Sequence, residues 1–191
     1  MPPRPGLTPE RIVDAAAELI DRDGYDQLAL GKVAADLGVR TPSLYNHIDG
    51  LDELRRLLTI RALTVLGAEL QRGAVGIGAE DAVRGIATAY RRFAHEHPGL
   101  YATTVPSIED ADAEVQRVGA QVMHTVLTAL AGFGLDEAAA IHATRSVRSA
   151  VHGFVSLELA GGFGIPIDID ASFVWLTDLL ADGIRGRSGN A

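Results

Sequence analysis

Apolar residues recur at intervals of three and four along most of the chain, and glycine or proline ends each such stretch. The first stretch predicts an amphipathic helix that begins at the Thr8-Pro9-Glu10 cap and ends near Asp23. Further helices are predicted over residues 51–72, 79–97, 112–130, 136–159 and 171–184. No stretch alternates apolar and polar residues between turn signals, as a strand would. The predicted fold class is therefore all-α, a small N-terminal helical module followed by a larger helical domain.

A short helix pair is predicted over residues 28–47. Ala34 and Leu37 lie on one helix face, and Gly38 ends the first helix because glycine tolerates the positive φ of a sharp turn. Thr41-Pro42 then begins a second short helix, with Thr41 as its N-cap. The small side chain of Ala34 allows the two helices to cross closely. This arrangement is that of a DNA-binding helix-turn-helix, whose second helix enters the major groove.

The outer face of the second helix carries hydrogen-bonding side chains and no run of charge. Leu44 and Ile48 face inward one turn apart, so most residues around them point away from the core. Asparagine can form a bidentate bond with adenine, and hydroxyl groups reach phosphates or base edges. The candidate DNA-binding residues are Lys32, Arg40, Thr41, Pro42, Ser43, Tyr45, Asn46 and His47. The residues alone leave a second interpretation open, a solvated helical hairpin with an ordinary polar surface.

The stretch VRTPSLYNHI at residues 39–48 resembles the signature of the tetracycline-repressor (TetR) family of bacterial regulators, whose helix-turn-helix ends in Leu-Tyr-x-His/Tyr-Phe/Val. The opening helix with its Gly24-Tyr25 end matches as well. The resemblance implies a helix-turn-helix DNA-binding domain at residues 1–50 and a helical regulatory and dimerisation domain at residues 51–191. It also implies a ligand-responsive repressor that binds a palindromic double-stranded DNA operator as a homodimer. A small, mostly apolar effector would release it.

Two positions depart from the family pattern. Family members usually have serine or threonine at the cap of the first motif helix, where this chain has Ala29. They also usually carry a lysine after the recognition helix, where this chain has Leu51. Both departures predict weaker anchoring on the DNA backbone.

The net charge of −8 argues against binding to DNA by bulk electrostatics. DNA binding then requires that a few cations face the DNA, for which the candidates are Arg4, Lys32 and Arg40. The acidic residues of the first helix, Asp14, Glu18 and Asp21, fall on one outer stripe that can face away. We therefore expect modest non-specific affinity and reliance on a few direct contacts.

The last two helices are predicted to pair two copies of the chain. The last one is apolar around most of its circumference, whereas a surface helix of a monomer buries one stripe. The helix before it is rich in alanine and carries Gly153 in its interior, where glycine costs about 1 kcal/mol against alanine. Either a close helix crossing or a space beside the backbone would offset that cost. Residues 149–163 resemble the His-Gly-bearing C-terminal domain of one TetR subgroup, and the resemblance implies pairing, since family members pair through their last two helices. The alternative to pairing is that the last helix is packed between other helices of the same chain.

Several helices would point aromatic and polar side chains inward in the larger domain. Pockets for small molecules are mostly apolar with a few polar groups. The candidate ligand-binding residues are Tyr90, Phe93, His97, Tyr101, Met123, Leu127, Arg148, His152, Phe154 and Trp175. Each of them taken alone is more often an ordinary core residue, and the prediction is that a subset of them lines a cavity. Arg145 and Arg148, one turn apart, could hold an anion or form interface salt bridges.

Other function classes find little support in the sequence. The chain has no cysteine, no catalytic signature such as His-Glu-x-x-His, and no predicted metal or cofactor site. Charged residues interrupt every apolar run before it reaches the roughly 20 residues of a membrane span. With no secretion signal visible, we expect no membrane partner and a cytoplasmic location. The serious rival to a DNA-binding regulator is an all-α adaptor that uses the helix-turn-helix for protein contacts.

Overall fold

A computed structural model describes residues 6–74, 78–105 and 112–188, and within these ranges it contains helices and no strand. The α-helices are α1 Pro9–Asp23, α2 Leu30–Asp36, α3 Leu51–Ala74, α4 Ala79–Glu96, α5 Pro98–Thr103, α6 Ala113–Leu130, α7 Glu137–Leu159 and α8 Ile169–Ser188. Short 3₁₀ helices span Tyr25–Gln27, Thr41–Asn46 and Ala131–Phe133. The predicted all-α class is confirmed. Residues 1–5, 75–77, 106–111 and 189–191 lie outside the described residues.

The helix α1 begins and ends where the sequence predicts. The side chain of Thr8 accepts a bond from the backbone N–H of Arg11, and Pro9 occupies the first turn, where its missing N–H has no partner to lose. Gly24 ends the helix with a φ of 94°, which a residue with a side chain rarely adopts. One face of α1 is buried through Ile12, Ala16, Leu19 and Ile20.

The helix pair of the motif is closed by the predicted residues. Gly38 has a φ of 67°, and the N–H of Val39 then donates to the carbonyl of Ala34 at 2.9 Å. Ala34 and Leu44 are fully buried between the two elements. The second element is a 3₁₀ helix, and its cap position belongs to Arg40 with no side-chain cap bond. The prediction that Thr41 caps it is therefore wrong.

The chain forms two compact units that alternate along the sequence. Residues 6–64 form the first unit together with the described parts of 96–118, and residues 65–95 and 119–188 supply the described part of the second. The helix α3 contributes residues to both. The predicted domain boundary at residue 50 stays a prediction, because a compact unit is defined by contacts and a functional domain by what it binds.

In the first unit, α5 packs directly on the end of α1. A Cβ on Gly99 would lie 2.3 Å from the carbonyl atoms of Ile20, so only glycine allows this approach. The carboxylate of Asp21 accepts bonds from the backbone N–H groups of Gly99 and Leu100 at 2.9 and 3.0 Å. The prediction that Asp21 lies on an outer stripe with Asp14 and Glu18 is wrong, because Asp21 caps α5.

In the second unit, α3 and α4 also meet at glycines. A Cβ on Gly85 would lie 2.0 Å from the carbonyl oxygen of Gly73. Asp136, at the predicted start of α7, caps this helix by accepting from the N–H of Ala139 at 2.7 Å. The ion pair from Arg84 to Asp178, at 2.6 Å, joins α4 to α8. Glycine spacing in the sequence did not indicate the close contact of α3 with α4.

No single helix in the described ranges is long and apolar enough to cross a membrane. The stretch from α6 through the following turn to α7 meets that length and composition only as a pair bent by 115°.

Candidate DNA-binding surface and candidate ligand site

The 3₁₀ helix Thr41–Asn46 presents a polar face to solvent. Leu44 and Ile48 are 0% and 2% exposed, which fixes the inward face of this element as predicted. Tyr45 is 58% exposed although it is a large aromatic residue, and Asn46 beside it is also exposed. An exposed tyrosine next to an exposed asparagine offers two hydroxyl or amide groups that can reach phosphates and base edges.

The other candidate DNA-binding residues surround this pair. Arg40 and Pro42 are exposed, whereas Thr41, Ser43 and His47 are half-buried. Lys32 is exposed on α2, and its ammonium group donates to the side chain of Gln27 at 2.7 Å. Arg4 lies outside the described residues. Whether these side chains contact DNA stays a prediction.

Acidic side chains near the motif are partly neutralised by Arg22 at the end of α1. Its guanidinium group lies 3.0 Å from Asp23 and 3.1 Å from Asp36, the one acidic residue of α2. The bond from Arg22 holds the pKa of Asp23 below its ordinary value. Arg22 thus compensates part of the acidic charge beside the motif. Ala29, the cap residue of α2, makes no side-chain cap bond because its methyl group has no hydrogen-bond acceptor.

Three polar side chains of the second unit form a chain between α4 and α7. The hydroxyl of Tyr90 lies 3.4 Å from Nδ1 of His152, and the hydroxyl of Ser156 lies 3.4 Å from Nε2 of the same ring. All three are half-buried. Burial lowers the pKa of His152, and the positive charge of Arg148 one turn away lowers it further. Of the predicted ligand-binding residues, the structure thus brings Tyr90 and His152 together, and Arg148 is an exposed residue one turn before His152.

Phe154 lies in a different cluster on α7. Its ring centroid is 4.8 Å from that of Phe163 and 5.2 Å from that of Phe173 on α8. The guanidinium group of Arg91 lies 4.8 Å from the centroid of Phe173 and donates to Glu158 at 2.8 Å. The hydrogen bond from Arg91 is the main reason that the pKa of Glu158 is lowered to about 2. Sequence reasoning missed this cluster, since no local pattern links residues that are 67 positions apart.

The remaining predicted ligand-binding residues lie in both units. His97 lies in the first unit, where its Nδ1 pairs with Asp21 at 2.9 Å, and Tyr101 is buried in that unit too. Their predicted grouping with Tyr90 stays a prediction. The prediction that Trp175 faces the interior is wrong, because it is 71% exposed. In the second unit, Phe93 is fully buried, Leu127 half-buried and Met123 exposed.

An exposed face runs along α7 and α8. On α8, Val174, Trp175 and Leu179 are 56%, 71% and 58% exposed. On α7, the positions at helical spacing that lie opposite the buried stripe are His142, Ser146, Ser149, Gly153 and Leu157. A Cβ on Gly153 would meet nothing within 4 Å, so no close crossing within the described chain requires this glycine. Of the two explanations for Gly153, a close crossing with another described helix of the same chain is therefore wrong, and a space beside the backbone stays a prediction.

Two models of known families match the chain. One describes bacterial regulatory proteins of the TetR family and matches residues 12–55, which contain the helix-turn-helix. The other describes the C-terminal domain of tetracycline-repressor-like proteins and matches residues 83–180.

Individual proteins are similar over nearly the whole chain. An uncharacterised helix-turn-helix transcriptional regulator of Mycobacterium tuberculosis is 39% identical over 95% of this chain and 84% of its own length. Another, from Bacillus subtilis, is 40% identical over 82% of each chain. The structure is also similar, with a TM-score of 0.70, to a TetR variant from Acinetobacter baumannii in complex with minocycline. That similarity covers 96% of this chain and 99% of the other at 23% identity, and it concerns the fold.

Proposed function

Because the chain belongs to the TetR family of transcriptional regulators, we propose that it is a ligand-responsive repressor. In this proposal it binds a palindromic DNA operator as a homodimer, and a small, mostly apolar effector releases it. The observation that carries the proposal is the solvent-facing Tyr45–Asn46 pair on a motif element whose opposite face is fully buried. Because Tyr45 and Asn46 are not part of the buried core, their side chains are available to contact DNA.

The proposed homodimer forms through the exposed face of α7 and α8. The small side chains along α7 leave room for a partner helix, and the exposed Trp175 and Leu179 supply apolar knobs that an isolated chain leaves in water. Aromatic residues are enriched where proteins associate. A two-fold axis would place the same face of each copy against the other. Two copies also supply two recognition elements, which a palindromic operator requires.

The proposed effector site lies in the second unit, around Tyr90 and His152. Polar side chains that are half-buried among apolar helices are the usual way in which a pocket orients a small molecule. The Acinetobacter baumannii protein, which shares this fold, holds minocycline, and that supports a ligand-binding role for the equivalent domain here. Effector and operator affect each other's affinity reciprocally, by about 1–3 kcal/mol in typical cases.

The experiment begins with the DNA that flanks the protein's own gene. A gel-shift titration followed by footprinting would identify the operator, and sedimentation would give the mass of the free protein and of the complex. We expect one dimer on a two-fold symmetric site. Titration of small apolar compounds into that complex would then identify those that release the DNA. A monomer that protects a single asymmetric site would overturn the dimer proposal.

A further inference from the structure

The first half of α2 carries a single polar side chain. Residues 28–35 read LALGKVAA, so Lys32 is the one residue there whose side chain can form a hydrogen bond. Ala29, the cap residue of the helix, ends in a methyl group, and Leu28 and Val33 are buried. Any side-chain hydrogen bond from this part of α2 to a DNA backbone therefore depends on Lys32.

The ammonium group of Lys32 is held by a neutral partner. Its Nζ donates to the side-chain oxygen Oε1 of Gln27 at 2.7 Å, and both side chains are exposed. Gln27 is the last residue of the 3₁₀ helix Tyr25–Gln27, so this bond spans the connector to α2. An ammonium group has three donors, and one bond to Gln27 leaves two for another acceptor. Because an amide oxygen carries no net charge, the bond orients the ammonium group without neutralising it.

The carboxylate of Asp23, which lies near Lys32, has another partner. The hydrogen bond from Arg22 is the main cause of the lowered pKa of Asp23, and the positive charge of Lys32 adds to it. Both oxygens of Asp23 accept from Arg22, at 3.0 and 3.2 Å. No carboxylate in the described ranges forms an ion pair with Lys32. Its charge is therefore available to a phosphate.

Cations are scarce in the motif. Between residues 25 and 50, Lys32 and Arg40 are the only lysine and arginine, against the aspartates Asp26, Asp36 and Asp49. Each phosphate that a lysine or arginine binds releases counterions from DNA, so each such contact makes the affinity more dependent on salt concentration. With so few cations present, the removal of one should change that dependence measurably.

Resting on the operator binding proposed above, we propose that Lys32 binds an operator phosphate and that Gln27 is a positioning residue for Lys32. Gln27 holds the end of a long, flexible side chain in place before DNA arrives. Less side-chain freedom is then lost on binding, which is worth about two- to tenfold in affinity for one side chain. A phosphate contact carries no sequence information, so both residues should strengthen binding to specific and non-specific DNA alike.

The single lysine of the chain makes the contact directly measurable. The full-length protein, free and saturated with its operator, would be acetylated with the N-hydroxysuccinimide ester of acetic acid. Mass spectrometry would give the acetylation rate at Lys32, and a lysine-containing reference peptide in the same tube would correct for consumed reagent. We expect the operator to slow acetylation of Lys32 at least about fivefold, because a charge-assisted bond to phosphate occupies the ammonium group.

Two variants and their combination separate the contact from its positioning. Lys32→Met should weaken operator binding at least about tenfold and reduce the slope of log affinity against log salt by about one for each half-site. Gln27→Ala should weaken binding by about two- to tenfold with an unchanged slope, because the charge of Lys32 remains. In the Lys32→Met background, Gln27→Ala should change the affinity by less than about twofold, because Gln27 acts through Lys32.

Matched control variants come from α6. Gln121→Ala removes an exposed glutamine, and Arg117→Gln removes an exposed cation that pairs with Glu114 at 2.7 Å. Both should keep the operator affinity and the salt dependence of the wild type. Circular dichroism melting would verify that each variant is folded.

The outcomes distinguish this inference from the proposed function. Equal acetylation of Lys32 with and without operator, or a salt slope that Lys32→Met leaves unchanged, would overturn the phosphate contact. A loss of affinity from Gln27→Ala that persists in the Lys32→Met background would overturn the positioning role. Either result, combined with sequence-specific operator binding by the wild type, would leave the proposed function intact. Absence of operator binding by the wild type would overturn the proposed function and this inference together.

Discussion

At the scale of single residues, the motif separates side chains that hold the fold from side chains that are available for DNA. Leu44 is fully buried, whereas its neighbours Tyr45 and Asn46 are exposed. Asn46→Ala or Tyr45→Ala should barely change the melting temperature. Each should lower specific operator affinity by about 1–3 kcal/mol if it contacts a base edge.

The buried neighbour serves as the opposite control. Leu44→Ala should lower the free energy of unfolding by about 2–5 kcal/mol, because it leaves a cavity between the two motif elements. Thermal melting and gel shifts on the same preparations would compare the variants. Equal melting of Leu44→Ala and Asn46→Ala would show that the inward face is assigned wrongly.

A second residue-scale prediction concerns Gly99. Gly99→Ala should destabilise the first unit by about 1–3 kcal/mol, because the new Cβ would lie 2.3 Å from the backbone of Ile20. Gly31→Ala is the matched control, since nothing lies within 4 Å of its Cβ. Alanine there should be neutral or stabilising by up to about 1 kcal/mol. Denaturant titration measures both; similar losses in the two variants would refute the close approach of α5 to α1.

The inward and outward faces of the motif were predictable, because a helical period decides them over a few residues. The role of Asp21 was not. Its partners Gly99 and Leu100 are 78 and 79 positions away, and α1 considered alone places Asp21 among the outer acids. The prediction that Trp175 faces the interior was wrong for a related reason. The spacing of apolar residues along a helix indicates an apolar face, but it does not indicate whether that face packs within the same chain.

At the scale of elements, the cluster around Arg91 joins α4 to the end of α7 and the start of α8. Glu158 is 10% exposed, and its pKa of about 2 lies below the ordinary value of 4.5. Glu158→Gln should therefore lower the free energy of unfolding at pH 7 by about 1–3 kcal/mol. Glu114→Gln, in an exposed pair with Arg117, should cost less than about 1 kcal/mol.

The effect of Glu158→Gln should depend on pH in a defined direction. Because the folded pKa is lowered, the contribution of Glu158 is complete above its ordinary value and is lost as the pH falls from about 4.5 toward 2. The wild type and the variant should thus converge in stability at acid pH. Denaturant titrations between pH 7 and pH 3 would check this, and a constant difference across the range would contradict it.

Helix bounds were predictable to within a few residues where caps are local, as at Thr8 and Asp136. They were less predictable where tertiary contacts extend an element. The helix α5 begins at Pro98, and Asp21 of a distant helix caps it. The 3₁₀ form of Thr41–Asn46 likewise has no distinct spacing signal in so short an element.

At the scale of the whole molecule, the chain alternates between its two compact units, and no change of composition marks where it does so. A sequence read from one end therefore predicts contiguous domains.

The exposed apolar face of α7 and α8 supports the proposed homodimer. Trp175→Asp should produce a monomer in sedimentation at micromolar concentration, because a buried carboxylate would oppose another across the two-fold axis. Thr128→Asp, an added charge at an exposed position of α6, should remain dimeric.

Loss of the dimer should also weaken DNA binding. The monomeric variant keeps its recognition element, so it should retain contact with one half-site only and lose most of the affinity for the full operator. A Trp175→Asp protein that stays dimeric, or a monomer that binds the operator as tightly as the wild type, would contradict the proposed interface.

The central claim is that two copies of the Thr41–Asn46 element read one symmetric operator. Hydroxyl-radical footprinting of the wild type and Asn46→Ala on DNA flanking the protein's own gene, with the bound mass measured in parallel, tests it most directly. The account predicts two protected half-sites about one helical turn apart, bound by a dimer, and loss of both in Asn46→Ala at equal protein concentration. Protection of a single half-site by one chain, or an unchanged footprint in Asn46→Ala, would contradict it.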